Sequence, residues 1–234
     1  MNMRNVKLFC LAIVLLLVGE FALVANATPI EFETTTYSDS QIQKILENIN
    51  LQAVYEDSGR SAIQCFDVHA NGKYALAFGK GGKCRIYVYD PNGVFLYGFR
   101  FDSTGAYSIQ FRGDLLEIYL VRGDTIVTVD NRAECVEIRK VLATEQNTMN
   151  VRSLFDCSTK EMGGKIYELE RDIAIGDSYS RFVVIQEDGE KTVLLDLSAE
   201  NTAKQLLLVA SLLLFFVIAV AGIRKKNRYE HRTD

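Results

Sequence analysis

The hydrophobic residues of this chain follow three patterns that change along its length. Near both ends they form continuous runs, because residues 8–19 and residues 206–223 contain no charged side chain. After a polar stretch, apolar residues recur at helical spacing and predict an amphipathic helix over residues 41–53, with Asp39 or Ser40 as its cap. The apolar stripe of this helix consists of Ile42, Ile45, Leu46 and Ile49. From Ser61 onward the apolar period becomes two, which indicates β-strands.

Short segments rich in β-branched and aromatic residues follow one another after Ser61. After a first segment at residues 63–68, they cover residues 73–78, 84–90, 94–101, 107–111, 115–121, 125–130 and 135–141. Turn-forming sequences such as Asn71-Gly72 and Pro91-Asn92-Gly93 separate them. Short strands at nearly even spacing are typical of antiparallel β-structure. The sequence therefore predicts a mainly β domain over residues 61–198, preceded by a linker and the amphipathic helix over residues 28–60.

The first apolar run has the layout of a signal peptide, which we assign to residues 1–27. Arg4 and Lys7 precede the run, and Ala25-Asn26-Ala27 follows it, so we expect cleavage after Ala27. The alternative is an uncleaved membrane anchor. Glu20 disfavours an anchor, because a carboxylate inside a membrane span costs about 2.5–3.5 kcal/mol.

The second apolar run predicts a transmembrane helix over residues 204–223. Eighteen residues, 206–223, are uncharged, and at 1.5 Å per residue they span about 27 Å, close to the hydrocarbon thickness of a bilayer. A basic tail over residues 224–234 follows. Its topology-setting residues are Arg224, Lys225, Lys226 and Arg228. By the positive-inside rule the C-terminus is cytoplasmic, which makes this a single-pass protein of the cell membrane with its N-terminal domain outside.

The charge of the predicted outer segment is strongly acidic. Residues 28–203 contain 18 basic and 27 acidic side chains, a net charge of −9. A nucleic-acid partner is therefore not expected, since no basic patch is present in the outer segment. The expected partners are the lipid bilayer and either another envelope protein or a second copy of the chain.

A weak internal repeat extends through the β domain. Three similar units, each a glycine-rich turn followed by apolar strands and a second turn, cover residues 71–93, 113–131 and 164–189. The first two are offset by 40 residues, from Asp90 to Asp130, and the first ends in the pattern V-x-D-x-x-G at Val88–Gly93.

In spacing and in this turn pattern, residues 61–198 resemble the blades of β-propellers of the WD40 or NHL type. We expect these blades to form the outer domain of a bacterial single-pass membrane protein. The resemblance implies four-stranded antiparallel blades. Three units are fewer than a closed ring normally has. We therefore predict a mainly β fold: an antiparallel blade-like or propeller-like ectodomain with a short N-terminal helix, plus one C-terminal transmembrane helix. A partial propeller, a curved sheet and a small sandwich remain alternatives.

Four cysteines remain in the outer segment once Cys10 is removed with the signal peptide. They are Cys65, Cys84, Cys135 and Cys157. An even number in an exported domain fits two disulfides, in three alternative pairings, or four free thiols. A zinc site is not expected, because no C-x₂-C spacing exists and His69 is the only outer histidine.

No catalytic motif is recognisable. His69 has no serine or cysteine nucleophile at a suitable spacing. Paired carboxylates, such as Glu168 with Glu170 and Asp114 with Glu117, are typical of a solvated strand face. We therefore expect no cofactor and no enzymatic activity. The sequence favours a protein-interaction or ligand-binding module of the cell envelope, and the alternative is a membrane-tethered hydrolase that uses carboxylates.

Overall fold

The computed structural model describes residues 29–79, 81–156, 158–171 and 179–199. The predicted signal peptide (1–27), transmembrane helix (204–223) and basic tail (224–234, with Arg224, Lys225, Lys226 and Arg228) lie outside these residues, and so does Cys157. Within the described ranges, no helix has both the length and the apolar character needed to cross a membrane.

The described residues form a mainly β, antiparallel fold, as the alternation pattern predicted. The elements in chain order are β1 (Thr34–Thr36), α1 (Asp39–Ile49), β2 (Gln52–Val54), β3 (Ile63–Val68), β4 (Tyr74–Phe78), β5 (Gly82–Tyr89), β6 (Phe95–Ser103), β7 (Tyr107–Arg112), β8 (Leu115–Leu120), β9 (Thr125–Val129), β10 (Cys135–Val141), α2 (Glu145–Phe155), β11 (Thr159–Met162), β12 (Lys165–Arg171), β13 (Tyr179–Ile185) and β14 (Lys191–Asp196).

Three successive antiparallel meanders of four strands make up the β-structure. The first meander is β3–β6, the second is β7–β10 and the third is β11–β14. Strand β2 extends the first meander beside β6, and β1 extends the second beside β10. The third meander joins the first through the pair Tyr179 and Ile63. Four-stranded units of this kind were expected, whereas the propeller-like resemblance stays a prediction.

The first meander lies between the other two and buries both of its faces. Strand β4 illustrates this, because all five of its residues are buried. Ala75 and Ala77 belong to the core shared with the second meander. Tyr74, Leu76 and Phe78 belong to the core shared with the third. A strand buried on both faces has no polar face to display, which explains the continuous apolar run in the sequence.

A third apolar cluster covers the outer face of the second meander. Phe32 from the N-terminal segment stacks on Tyr119 with ring centroids 5.7 Å apart, and Leu154 from α2 joins the same cluster. Asn147 of α2 bonds both backbone atoms of Glu33, accepting from its N–H at 3.0 Å and donating to its carbonyl at 2.8 Å. The segment before α1 is therefore attached along this face.

Helix α1 begins earlier and ends earlier than the pattern predicted. Ser38 is the N-cap rather than Asp39 or Ser40, and its backbone N–H donates to Gln41 Oε1 at 3.0 Å. Asn50 adopts a left-handed conformation (φ 45°) that ends the helix, so residues 52–54 form β2 instead of a last helical turn. The predicted apolar stripe packs on the core shared by the first and second meanders.

Candidate functional site

The clearest candidate site is a cleft of about 740 Å³ between α1 and one end of the second meander. Its volume lies within the range of about 300–1,000 Å³ that is typical of small-molecule sites. One wall is a face of α1, and the facing wall comes from the β6–β7 connection and the β8–β9 turn. Ile45, Ile49 and Leu120 provide an apolar part of the lining. No sequence motif indicated this cleft.

The α1 wall follows from helical spacing. Gln41, Lys44, Ile45 and Asn48 recur at positions i, i+3, i+4 and i+7, so they lie on one side of the helix. Gln41 is engaged in the helix cap, because its Oε1 accepts from the backbone N–H and the hydroxyl of Ser38. Lys44 forms no ion pair with any other described residue. Its ammonium group is therefore available to an occupant of the cleft.

The facing wall presents a second cation. Arg122 lies in the β8–β9 turn and also has no ion-pair partner among the described residues. Its side chain runs over Gly105, where an added Cβ would lie 3.2 Å from the Cγ of Arg122. The turn itself is held by the hydroxyl groups of Tyr37 and Thr125. Each lies within donating distance of the carbonyl of Gly123, at 3.1 and 3.0 Å, and the two hydroxyl oxygens are 2.8 Å apart, where either can donate to the other.

One carboxylate, Asp102, is present among the described lining residues. It forms an ion pair with Lys83 at 2.7 Å. The hydrogen bond from Lys83 holds the pKa of Asp102 below its usual value, so this group stays ionised near neutral pH. Hydrolysis by paired carboxylates requires a second acid near the first. The lining that the structure describes supplies donors and cations instead.

His69, the histidine singled out in the sequence, lies in the β3–β4 turn, at the opposite end of the strands from the cleft. Its Nδ1 is 2.7 Å from Asn71 Oδ1, and its ring packs edge-on against Phe111 with centroids 5.4 Å apart. Nε2 is 3.9 Å from Asp114, which is itself paired with Lys73. These contacts give His69 a packing role in the turn.

Cys65, Cys84 and Cys135 are free thiols. For these three residues the structure corresponds to the free-thiol alternative, and Cys157 lies outside the described residues. Burial raises the pKa of the Cys65 thiol to about 12, and burial also raises the pKa values of Cys84 and Cys135. Low thiolate content makes all three poor nucleophiles and poor metal ligands near neutral pH. Within the described ranges, no group of three or more potential metal ligands occurs.

A buried carboxylate that the sequence analysis missed joins the three meanders. Asp67 on β3 is 5% exposed. It accepts a hydrogen bond from the backbone N–H of Phe111 on β7 and an ion pair from Lys160 on β11, with 2.5 Å between Nζ and Oδ1. The only signal in the sequence is an acid within an otherwise apolar strand. Asp67 is fully engaged by these partners, so its role is to hold the fold.

A second carboxylate, Glu117, was predicted to lie on a solvated face, and that prediction is wrong: Glu117 is 4% exposed and lies on the outer face of the second meander. Its oxygens accept from Gln110 at 2.7 Å, from Arg112 at 3.2 Å and from Arg139. Gln110 in turn bonds both the N–H and the carbonyl of Ile30 at 2.9 Å. This network satisfies the buried charge and attaches the N-terminal segment to the sheet.

Compared with known proteins, the chain matches no protein-family model and no curated protein sequence. The functional argument therefore depends on the geometry of the cleft and on the sequence at both ends of the domain. Of the features described above, only the cleft combines the volume of a ligand site with cationic side chains, Lys44 and Arg122, that have no ion-pair partner within the part of the chain that the structure describes.

Proposed function

We propose that the chain is a single-pass membrane protein and that its outer domain, residues 28–203, is a binding module of the cell envelope. The observation that supports binding most directly is the cleft, which has the volume of a small-molecule site and two cations without protein partners. Signal-peptide and stop-transfer patterns in the sequence support the topology.

The path of the chain supports an orientation of this module. The N–H of Leu197 donates to Ser180 at 2.8 Å, next to Tyr179, which pairs with Ile63 at the beginning of β3. Ser103, which lines the cleft, ends β6 at this same end of the sheet. Eight residues lie between Leu197 and the apolar run that begins at residue 206, so the two ends are at most about 32 Å apart. The proposed anchor therefore keeps the cleft end close to the membrane.

The fold also supports a protein partner at the third meander. Strands β1 and β2 extend the outer edges of the second and first meanders with three residues each. Strand β14 is longer, with six residues, and pairs with β13 on one side without a described strand on the other. Val193 on β14 is 50% exposed. Open strand edges bind partners by adding a strand, so β14 is where we expect such a partner.

Cysteine accessibility tests both the topology and the binding role. The variant Thr104→Cys places a thiol in the lining of the cleft, and Thr148→Cys places a matched thiol on the exposed surface of α2. We expect a membrane-impermeant maleimide to label both variants in intact cells or spheroplasts, above the wild-type background. Labelling only after permeabilisation would refute the outer location.

Occupancy of the cleft is read from the labelling rates of the same two variants. If the cleft has a ligand or partner in the cell, Thr104→Cys should react more slowly in cells than in the purified protein, while Thr148→Cys reacts at the same rate in both. Equal rates for Thr104→Cys in both settings would contradict a binding role for the cleft.

N-terminal sequencing of the mature protein should begin at Thr28, and recovery of Met1 would indicate the uncleaved alternative.

A further inference from the structure

We infer that the cleft binds a phosphate group through Lys44 and Arg122, an inference that builds on the proposed membrane-anchored binding function. These two side chains come from α1 and from the β8–β9 turn, and they line the same cavity. The phosphate belongs either to the headgroup of a lipid or to a soluble phosphate ester. Both sources present the same chemistry to the cleft.

The charge distribution favours an anionic ligand. The outer segment has a net charge of −9, and several of its described cations form ion pairs with acids, as Lys73 does with Asp114 and Lys191 with Glu170. Lys44 and Arg122 are not neutralised in this way by any described residue. Two cations that line one cavity without a described acidic partner make its local charge positive, which favours an anionic ligand over a cationic one.

The chemistry of the lining fits phosphate. The guanidinium of Arg122 presents a planar set of donors that matches phosphate oxygens, and Lys44 adds a compact point charge. Asn48 and Thr104 also line the cleft and offer an amide and a hydroxyl as further donors. Asp102 is the one described acid in the lining, and its pairing with Lys83 reduces its repulsion of an anion.

The position of the cleft gives the phosphate a source. The end of the sheet that bears the cleft is also the end from which the chain continues towards the predicted membrane span. At a membrane surface the abundant anionic groups are phosphates. A soluble phosphate ester reaches the same cleft from solvent, and the two sources differ in whether the membrane composition affects binding.

The test uses the full-length protein reconstituted in nanodiscs of phosphatidylcholine, titrated with sn-glycerol 3-phosphate in a calorimeter. The double variant Lys44→Gln/Arg122→Gln removes both cations of the cleft. Arg152→Gln/Lys165→Gln is the matched control, since it removes the same charge from two residues outside the cleft that form no described ion pair. Hydrogen bonds to charged groups contribute about 1.5–3 kcal/mol, so we expect the cleft variant to bind about 10- to 100-fold more weakly and the control within about twofold of the wild type.

A second series of nanodiscs contains phosphatidylglycerol and separates the two sources. Its headgroup has a net negative charge, whereas in phosphatidylcholine the choline neutralises the phosphate, so only the second series offers an anionic lipid headgroup to the cleft. If the lipid headgroup is the ligand, the wild type and the control bind glycerol 3-phosphate more weakly in these discs, because the cleft is already occupied, and the cleft variant shows no such change. If a soluble ester is the ligand, the loss of affinity on adding phosphatidylglycerol is the same for all three proteins.

Two results would overturn the inference. The first is no binding of glycerol 3-phosphate, together with equal thermal midpoints of the protein in nanodiscs with and without phosphatidylglycerol. The second is an equal loss of affinity in the cleft variant and the control. Failure of the proposed function is recognisable separately. If the maleimide reaches Thr104→Cys from outside the cell, but reacts with it more slowly in cells than in the purified protein, the proposed binding module stands. If no phosphate binds in that case, only the ligand class is wrong.

Discussion

Replacing Asp67 by alanine tests whether one buried carboxylate joins the three meanders. Asp67 lies on the central meander and binds the backbone of Phe111 in the second and the ammonium group of Lys160 in the third. The side chain of Asp67 is 7% exposed and that of Lys160 is 13% exposed. Asp67→Ala therefore removes one acceptor from the desolvated ammonium group of Lys160 and from the buried N–H of Phe111.

The expected loss is large for a single substitution. Removing one partner of a buried ion pair costs about 3–5 kcal/mol, mainly because the other charge remains in a medium of low polarity. Domains are stable by about 5–15 kcal/mol, so Asp67→Ala should remove about a fifth or more of the free energy of unfolding. In the double variant Asp67→Ala/Lys160→Met, the remaining charge is gone as well, and a substantial part of the stability should return.

The assay is urea unfolding of the full-length protein in detergent micelles, followed by the near-ultraviolet circular dichroism of its tyrosines. The chain has 11 tyrosines and no tryptophan, so this signal reports the packing of the two cores. Asp114→Ala is the matched control. Asp114 also accepts an ion pair from a lysine, Lys73, at 2.8 Å, but its side chain is 89% exposed, so its loss should be far smaller.

Equal midpoints for Asp67→Ala and Asp114→Ala would refute the reasoning, since burial would then make no difference to the value of the pair. A loss in Asp67→Ala that the second substitution Lys160→Met does not reduce would also refute it. In that case the charge that remains on Lys160 would not be the cause of the loss.

Three further predictions address the turns, the thiols and the pH dependence. Gly189 has φ 83° and open space where a Cβ would be, so Gly189→Ala should lower the free energy of unfolding by about 0.5–1 kcal/mol, as measured by urea midpoints. This value is the backbone strain of alanine in the left-handed region, about 1–2 kcal/mol, minus the stabilisation of about 0.4–1 kcal/mol from the lower entropy of the unfolded chain. Alkylation of the native protein, mapped by mass spectrometry, should modify Cys135 before Cys65, because Cys65 is buried; the reverse order would contradict the packing. Backbone hydrogen bonds, chiefly from Val94, hold the pKa of Asp90 below its ordinary value. On acidification the unfolded chain therefore takes up a proton at this group before the folded protein does, so the free energy of unfolding should fall as the pH drops below about 5. Thermal midpoints that rise on acidification would contradict this sign.

The strands and their turns were predictable because their causes are local. Four hairpin turns, beginning at His69, Asp90, Asp130 and Gln186, share the same two backbone hydrogen bonds between their first and later residues. In three of them the fourth residue is glycine with positive φ, which the sequence displays directly. The turn after β9 has Ala133 at that position with φ 65°, so the V-x-D-x-x-G pattern is not recognisable there although the geometry is the same.

The cleft was not predictable, because its walls meet only through tertiary packing. Lys44 and Arg122 are 78 positions apart, and each looks like an ordinary solvated cation in its own segment. Asp67 was missed for a related reason: an acid within an apolar strand suggests burial, but its partners on β7 and β11 are 44 and 93 residues away. Periodicity reports which face of an element is buried and contains no information about which side chains meet across the fold.

The N-terminal segment explains how three meanders remain a defined unit without a further repeat. Strand β1 extends the second meander, α1 packs on the core between the first two, and β2 extends the first. Each added strand has only three residues, and short edge strands resist pairing with other chains. The same segment supplies the α1 wall of the cleft. Protection of two sheet edges and formation of the candidate site therefore depend on one stretch of chain, whereas no described strand covers the six-residue edge of β14, at which a partner strand could add.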